Sequence, residues 1–444
     1  MDRGRRAVRC EHELSPGWRR LDWDLRGCCC GCPRSPRGVH RGPRAVTAHP
    51  EKPTRIAFVD ALRGFALFGI LVVNIQFFAS SFHGSGIDDP AHTGTLGDSA
   101  GLLVKVLFET KFYLLFSFLF GYSFTLWLAG AERRGEPVAA QFSRRMLFLI
   151  IVGTLHAVLL FPGDILATYG LVGFALLRIR HWQSRKAFRF GMGVLVATAG
   201  IYGLLGLASL LAGEGAPGPG SIAADSLEAM RAYGGDPLDV ISQNTSDLGE
   251  AYALLLFFQA PSALAMFAVG YAAGRLGILR NPEDYRWLWK RGALLLPVGL
   301  AGGVIYAWGS TEPALHAPAR EILAVACDVL LAPVLSFSWL SLVLLLCLSK
   351  QGPRVVGILA PAGRLALTNY LLQSVFLCLL FTGYGLALIG EVSPAGALAV
   401  AIGIYCAQLA GSALYLRRGP RYGPVEALLR AATRWTRPTT RVQS

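Results

Sequence analysis

Charged residues are scarce in this sequence. Asp, Glu, Lys and Arg make up 16% of its 444 residues, whereas 53% are hydrophobic and the mean hydropathy is +0.46. A soluble globular domain carries about 25% charged residues, so this composition argues against a soluble globular enzyme. It also argues against a disordered chain, which needs low hydrophobicity. The sequence contains no Walker loop, no Gly-x-Ser-x-Gly elbow and no His-Glu-x-x-His, and so has none of these motifs of soluble-enzyme chemistry.

The apolar residues are concentrated in long runs. A helix needs roughly 20 apolar residues to cross the hydrocarbon core of a bilayer. The runs therefore predict an all-α polytopic integral membrane protein with about ten transmembrane helices. The third and fourth helices are short and nearly continuous, so both a tight turn and a re-entrant pair are open. The predicted spans centre on 64–82, 112–130, 146–162, 164–178, 188–212, 249–274, 292–310, 322–348, 365–389 and 395–416.

Positive charge is distributed unevenly between the loops. The segments before the first span and after the second, fourth, sixth, eighth and tenth hold 37 of the 42 Lys and Arg residues, whereas the alternate loops hold only Arg231 and Arg320. Loops rich in Lys and Arg stay on the cytoplasmic side. We therefore predict a multi-pass membrane protein with both termini in the cytoplasm. The net charge of the protein is +14. Because the positive residues lie in loops between spans, we expect the protein to interact with the lipid bilayer and not with nucleic acid.

Residues 1–55 differ from the rest and are predicted to be a separate segment. They hold 13 Lys and Arg residues and five of the nine cysteines, four of them in the run Cys28-Cys29-Cys30-Gly31-Cys32. Three interpretations are open: a disordered basic tail near anionic lipid, a gene model extended upstream of a start near Val46, and a metal site, although no second ligand pair follows. The remaining cysteines are expected in the core: Cys327, Cys347, Cys378 and Cys406.

The transmembrane bundle is assigned to residues 56–417 and a cytoplasmic segment to 418–444. Within this last segment Pro424 suits the first turn of a helix. Apolar residues then recur at helical spacing, which predicts an amphipathic helix lying on the cytoplasmic membrane surface. These residues are Val425, Leu428, Leu429, Ala432 and Trp435.

Several polar side chains lie in or beside the first two spans, where burial is costly and a function is the default expectation. Asp60 and Arg63 are three residues apart and so share a helix face. Two interpretations are open for them: a structural ion pair, or an Arg63 that binds an anion such as a phosphate. Asn74 lies about 16 Å deeper on the same helix, and Lys111 begins the second span at the outer side. We treat all four as candidate substrate-binding residues.

His156 is the leading candidate for a catalytic residue. It is the only strongly polar residue of span three, and a neutral imidazole can take or give a proton near pH 7. Asp164 follows eight residues later, about 12 Å away if the helix continues. A turn at Pro162-Gly163 would bring Asp164 back toward the bundle. The alternative is a histidine whose hydrogen bonds are satisfied by a neighbouring helix.

Span nine carries Asn369 and Gln373, four residues apart on one face that must point into the bundle. Gln259 and Gln408 are expected to join this polar layer, which suits either packing between helices or substrate binding. Asp328 lies near the outer side of span eight. Three prolines are expected to break spans six, seven and eight around a central cavity: Pro261, Pro297 and Pro333.

Five ordered blocks resemble the YeiB-like bacterial membrane proteins, the family known as domain of unknown function 418. The resemblance covers roughly residues 55–437. The blocks are Asp60 to Leu67 with Gly69 to Leu71 and Asn74-Ile75; Lys111-Phe112 with Leu115 to Gly121; Gly153 with His156 and Gly163 to Leu166; Leu367 to Ser374; and Tyr422 to Glu426.

In its first helix this family is similar to membrane acyltransferases that use acyl-CoA. Many of those enzymes have a histidine in or just after that helix, where this chain has Asn74. His156 is our candidate for the missing role. Because the first-helix histidine is absent, the activity of those enzymes does not carry over to this chain. Transfer of an acyl group from acyl-CoA at or across the membrane is the first hypothesis only because of this distant resemblance. Two alternatives stay open: a transporter or exporter of a small polar or amphipathic solute, and a non-catalytic membrane scaffold.

Overall fold

Helices joined by turns make up the computed structural model, which describes residues 56–85, 89–92, 94–212, 219–310 and 318–434. Residues 1–55, and with them the predicted N-terminal segment, lie outside the described residues. No β-strand occurs in the described ranges. The first helices are α1 (Ala57–Ala79), α2 (Thr95–Leu107), α3 (Lys111–Arg133), α4 (Val138–Leu159), α5 (Ile165–Ile179), α6 (Ser184–Ala212), α7 (Pro219–Tyr233) and α8 (Pro237–Leu254). The others are α9 (Ala260–Leu276), α10 (Arg286–Leu294), α11 (Leu296–Gly309), α12 (Pro318–Cys347), α13 (Gly352–Arg364), α14 (Ala366–Phe381), α15 (Pro394–Arg417) and α16 (Pro424–Arg434).

Several of these helices can cross a membrane. Within the described ranges seven segments are long and apolar enough: α1, α2 with α3, α4, α6, α8 with α9, α12 and α15. Two more pairs reach that length only as bent pairs, α10 with α11 (40°) and α13 with α14 (75°). The predicted count of ten also includes α5, whose 15 residues are fewer than the roughly 20 that a perpendicular span needs. The part of the chain that the structure describes is therefore all-helical and of the membrane type.

Some helices have no counterpart in the sequence prediction. α2 and α7 form in stretches that lack a long apolar run. The predicted ninth span corresponds to α14, which follows a sharp bend after α13 and ends at Phe381. Pro261 follows a π-helical turn, Leu255–Gln259, and Pro297 lies in the first turn of α11. Both suit a residue without a backbone N–H. Pro333, however, lies inside a continuous α12, so the expected break there is wrong.

α4 and α5 form a hairpin closed by a tight turn. α4 ends at Leu159, and the backbone N–H groups of Leu160 and Phe161 both donate to the carbonyl of His156. Asp164 then begins α5 as its N-cap, because its carboxylate accepts a hydrogen bond from the backbone N–H of Ala167 at 3.0 Å. The chain therefore reverses between His156 and Asp164.

Glycines let the central helices approach closely. A Cβ on Gly121 of α3 would overlap the carbonyl oxygen of Phe267 in α9, and one on Gly270 of α9 would overlap that of Phe118 in α3. α1 and α13 meet in the same way at Gly64 and Gly363. Small residues at helix crossings are typical of membrane bundles, where close packing replaces the hydrophobic effect as the driving force.

The cysteine prediction is half right. Cys347 and Cys378 are buried, as expected, but Cys327 and Cys406 are exposed on the faces of α12 and α15. Position within an apolar run does not reveal which face of a spanning helix points away from the bundle, so the expectation of a core position is wrong for these two.

α16 is present and packs on α4 and α14. Leu429 and Thr433 are its buried residues, whereas Leu428 is exposed. Trp435, the last residue of the predicted apolar face, lies outside the described residues. Part of that face is therefore used to bind the rest of the protein.

Candidate functional site

A histidine and an aspartate meet where α4 turns into α5. His156 Nδ1 lies 2.9 Å from Asp164 Oδ1, and the two side chains are 1% and 0% exposed. They are eight residues apart in the sequence, and the turn between the two helices brings them into contact. Of the two geometries that the sequence left open, the structure has the one in which Asp164 folds back.

The Asp164 carboxylate is held in place from three directions. Its Oδ2 accepts from the backbone N–H of Ala167, and its Oδ1 accepts from the hydroxyl of Tyr370 in α14 at 3.2 Å. The third direction is His156. A Cβ on Gly153 would overlap the backbone nitrogen of Ala167 and lie 2.5 Å from Oδ2, so only glycine fits opposite the carboxylate. The acid is thus fixed before any ligand binds.

The outer nitrogen of the imidazole is left without a protein partner. Nδ1 faces Asp164 Oδ1 at 2.9 Å without meeting the geometry of a regular hydrogen bond. A proton on Nδ1 leaves the lone pair on Nε2. Nε2 is buried and accepts no hydrogen bond from a described residue. The ring packs against Tyr370, with ring centroids 5.3 Å apart. A base oriented by a carboxylate with its second nitrogen free is the arrangement used in general-base catalysis.

Three successive carbonyls at the end of α4 are bound by side chains from elsewhere. Asn244 of α8 donates to Val158, Tyr384 to Leu159 and Cys378 of α14 to Leu160. The last carbonyls of a helix have no partner within the helix. These bonds therefore fix the end of α4, and His156 with it, to α8 and α14.

Asp60 and Arg63 form an ion pair near the start of α1. Arg63 Nη1 lies 3.1 Å from Asp60 Oδ1, and Arg63 also donates to the Ser123 hydroxyl in α3. The Arg63 side chain remains 26% exposed, so the ion pair does not enclose it completely. The ion pair and the anion site are thus compatible at this residue. We call the end of the bundle at which α1 begins the basic end.

Asn74 lies deeper on α1 and is half-buried. Its side chain makes no hydrogen bond with any residue that the structure describes. Eleven residues separate it from Arg63, as eleven separate His156 from Arg145 on α4. Eleven residues are about three turns, or about 16 Å, so each helix carries an arginine and a deeper polar residue on nearly the same face.

Lys111 forms a second buried charge cluster near the opposite end of the bundle. Its Nζ lies 3.1 Å from Asp328 Oδ1, and the two side chains are 0% and 3% exposed. The same Nζ lies 4.9 Å from the ring centroid of Tyr306, whose hydroxyl donates to Glu109 at 3.0 Å. The sequence identified Lys111 and Asp328 separately, and the structure shows them to be partners.

His83 lies beside this second cluster, in the turn after α1. Its Nε2 is 4.0 Å from Glu109 Oε2, too far for a hydrogen bond. Burial lowers the pKa of His83 below its ordinary value of 6.5, against the opposing effect of Glu109 and with a smaller contribution from Lys105. The folded protein therefore favours the neutral imidazole.

Asn369 and Gln373 belong to a buried amide network. Gln373 donates to the Gln408 side chain at 2.9 Å, Gln408 donates to the backbone carbonyl of Asn369, and Asn369 donates to the Ser412 hydroxyl at 3.0 Å. Gln408 joins the layer as expected. Gln259 makes no hydrogen bond to these amides among the described residues and lies at the end of the π-helical turn Leu255–Gln259. The bonds join α14 to α15, as expected of amides that pack helices together, whereas Gln373 Oε1 is buried and accepts no hydrogen bond from a described residue.

Comparison with known proteins identifies the family. The protein-of-unknown-function family DUF418 matches residues 273–436. The chain is 30% identical over 402 residues to YxaH, an uncharacterized protein of Bacillus subtilis (strain 168), covering 85% of this chain and 94% of that protein. It is also 28% identical over 396 residues to YeiB, an uncharacterized protein of Escherichia coli (strain K12), covering 84% and 95% respectively. The chain belongs to the YeiB-like family.

The sequence blocks that resemble this YeiB-like family meet in space. The block that contains His156 and Asp164 contacts Tyr370 of the fourth block. Glu426 of the fifth block accepts hydrogen bonds from the backbone N–H groups of Leu367 and Thr368 and from the Thr368 hydroxyl. The fourth block thus lies between the histidine and the C-terminal helix.

Two contributions to the site were missed from the sequence. Tyr370 lies in the fourth block, but a tyrosine in an apolar helix gives no sign that its hydroxyl points at a carboxylate on another helix. Arg145 was counted only as a loop charge, although it lies inside α4. In the described part of the chain no group of three or more His, Cys, Asp or Glu side chains is placed to hold a metal ion.

Proposed function

We propose that this YeiB-like protein transfers an acyl group from acyl-CoA to a hydroxyl or amine acceptor at or across the membrane, with His156 as the general base. The observation that carries the proposal is the buried His156–Asp164 pair whose Nε2 has no protein partner. Leaving such an atom buried and unbonded costs about 1–3 kcal/mol. A bound acceptor would supply the missing hydrogen bond.

In the proposed step, His156 accepts a proton from the acceptor and returns it to the leaving group. Nε2 of His156 takes the proton of the acceptor O–H or N–H as the acceptor atom bonds to the acyl carbon. The C–S bond of the thioester then breaks, and the imidazolium returns the proton to the leaving sulfur. Asp164 stabilises the imidazolium formed in between, as the acid does in other oriented bases.

Arg63 and Asn74 suit the two ends of such a donor. The partly exposed side chain of Arg63 at the basic end would hold its phosphates, and Asn74, about 16 Å deeper on the same face, would donate its amide to the thioester oxygen as negative charge develops there. Lys111, Asn369 and Gln373 are not needed for this step, because their side chains are engaged in pairs and networks of their own.

The test measures acyl transfer by the purified protein in lipid nanodiscs, with radiolabelled acetyl-CoA and a longer acyl-CoA and a membrane lipid extract as acceptor. We expect His156→Gln and Asp164→Asn to lower the rate by a factor of about 10²–10⁴. His181→Gln, which changes an exposed histidine at the end of α5, is the matched control. A folded His156→Gln protein with wild-type transfer would contradict the proposal.

Transport of a small solute is the second candidate, and one observation favours it. The Lys111–Asp328 pair is buried inside helices that can cross a membrane, where ionisable residues often mark a transport pathway. Uptake or efflux by sealed vesicles that requires a proton gradient and is lost in Asp328→Asn, while His156→Gln still transports, would favour this function over acyl transfer.

We also propose the inner membrane as the location, with both termini cytoplasmic, since 37 of 42 Lys and Arg residues fall on one side of the predicted spans. Reporter fusions after Arg418 and within residues 213–218 test the orientation. We expect cytoplasmic reporter activity only at the first position.

A further inference from the structure

Arginines from four helices lie at the basic end of the bundle. Arg63 is on α1, Arg145 on α4, Arg364 at the end of α13 and Arg430 on α16. α13 crosses α1 so closely that a Cβ on Gly363 would overlap the carbonyl oxygen of Asp60, so the backbone of Arg364 follows directly after this crossing. We call these four residues the arginine junction.

α4 and α16 complete the junction. α16 packs on α4, and the guanidinium groups of Arg63 and Arg430 both act electrostatically on Arg145. Arg430 also lies over the ring of Tyr422, 4.0 Å from its centroid, so its side chain is held in one direction. The C-terminal helix thus contributes a charge to a group that otherwise comes from the bundle.

Two carboxylates near this junction already have partners in the described part of the chain. Asp60 pairs with Arg63. Glu426 is used elsewhere, because its two oxygens accept from the backbone and side chain at the start of α14. Bringing guanidinium groups together in a partly buried place is unfavourable unless an anion binds, because like charges repel.

Two of the arginines have unused binding capacity. Arg145 forms no ion pair with any acid in the described ranges, although it is half-buried within α4. Arg364 donates from Nη2 to the Arg421 carbonyl at 3.5 Å, but its Nε is buried without a partner. The planar guanidinium matches the geometry of phosphate oxygens, to which it binds through two parallel hydrogen bonds.

We propose that the arginine junction is a binding site for phosphate groups, completed by Arg430 of the C-terminal helix. The occupant we favour is the phosphate-bearing end of CoA, an identity that rests on the proposed function; the phosphate of an anionic lipid has the same chemistry. His156 lies about 16 Å deeper than Arg145 on α4, so an elongated ligand with phosphates at one end can reach both levels.

The experiment measures ligand-induced thermal stabilisation and the Kd of the full-length protein in nanodiscs. The soluble probes are CoA, dephospho-CoA, pantetheine without phosphate and inorganic pyrophosphate. The lipid arm compares nanodiscs of phosphatidylcholine alone with nanodiscs that contain phosphatidylglycerol. The variants are Arg145→Gln and Arg430→Gln, with Arg145→Lys for the case in which the glutamine variant does not fold.

Two further variants change one exposed arginine each on the same helices, Arg144→Gln on α4 and Arg434→Gln on α16. We expect CoA to bind more tightly than dephospho-CoA, and pantetheine to show no stabilisation. Arg145→Gln and Arg430→Gln should each weaken CoA binding roughly tenfold or more, the value of a hydrogen bond to a charged group. The two controls should bind as the wild type does.

His156→Gln separates this inference from the proposed function. If it abolishes transfer but binds CoA normally, both stand; if CoA binds at Arg145 and no transfer is found, only the proposed function fails. Stabilisation by phosphatidylglycerol that depends on Arg145, without binding of CoA, would keep the phosphate site and assign it to lipid. If neither CoA, pyrophosphate nor phosphatidylglycerol gives a response that depends on Arg145, the proposal is overturned.

Discussion

Lys111 and Asp328 are 217 positions apart in the sequence, yet Nζ and Oδ1 lie 3.1 Å apart in a fully buried pair that joins α3 to α12. Removing one partner leaves the other charge buried and alone, which costs about 3–5 kcal/mol. We therefore expect Lys111→Met to lower the free energy of unfolding by about that amount. Lys111→Met combined with Asp328→Leu should cost much less than the sum of the single changes. Unfolding in mixed micelles measures all three variants, and additive effects would contradict a direct pair.

The hydroxyl of Tyr370 donates to Asp164, the acid that orients His156. Tyr370→Phe removes one hydrogen bond to a charged group and should lower the free energy of unfolding by about 1.5 kcal/mol. It should also slow acyl transfer, because the carboxylate becomes free to turn away from the imidazole. Tyr271→Phe is the matched control, since its hydroxyl donates to the backbone carbonyls of Arg180 and Trp182, which follow the other end of α5 from Asp164. We expect this control to cost about 1 kcal/mol and to keep the transfer rate. Equal transfer rates for the two variants would speak against a positioning role for Tyr370.

Gly363 and Gly357 lie on the same helix, α13, but only one faces α1. A Cβ at Gly363 would overlap the Asp60 carbonyl, whereas one at Gly357 would meet nothing within 4 Å. Gly363→Ala should therefore destabilise the protein by about 1–3 kcal/mol through overpacking. Gly357→Ala should stabilise it by roughly 0.5–1 kcal/mol, because glycine weakens a helix interior. Melting temperatures that fall equally in both variants would show that the α1–α13 crossing is looser than described.

His83 makes stability depend on pH. Burial lowers its pKa in the folded protein below the ordinary 6.5, so below about pH 6.5 the unfolded chain binds a proton that the folded chain does not. Unfolding is then favoured by acid, and the free energy of unfolding should fall as the pH drops through this value. The loss between pH 7.5 and 5.5 should be smaller in His83→Gln than in the wild type. His181→Gln, at an exposed histidine, should leave the loss unchanged, and an unchanged slope in His83→Gln would refute the assignment.

Much of the fold was predictable from apolar runs alone. The runs predicted helices corresponding to α1, α3, α4, α6, α12 and α15, because a helix that crosses lipid must be apolar along its whole length. They missed α2 and α7, which have no such run, and they did not reveal the 75° bend between α13 and α14. The bend falls at Leu365, four residues after Pro361, which lies within the continuous helix α13. Bends away from proline depend on what the two half-helices pack against.

The candidate site was predictable in its members but not in its pairings. His156 and Asp164 were identified because ionisable groups are rare in spanning helices. Whether they touch depended on the turn after Leu159, which Pro162 and Gly163 permit and the capping bond from Ala167 fixes. Lys111 and Asp328 were likewise separate observations until α3 and α12 were placed side by side.

The sequence by itself determined that this is a helical protein of the membrane type, which polar and ionisable side chains are candidates for function, and which family it belongs to. It could do so because these properties follow from local composition and ordered motifs. The tertiary structure alone decided which charges are partners, that Tyr370 completes the contacts around Asp164, and that the C-terminal helix packs on α4, which carries Arg145. These relations join residues far apart in the chain, and helix packing sets the distances between them.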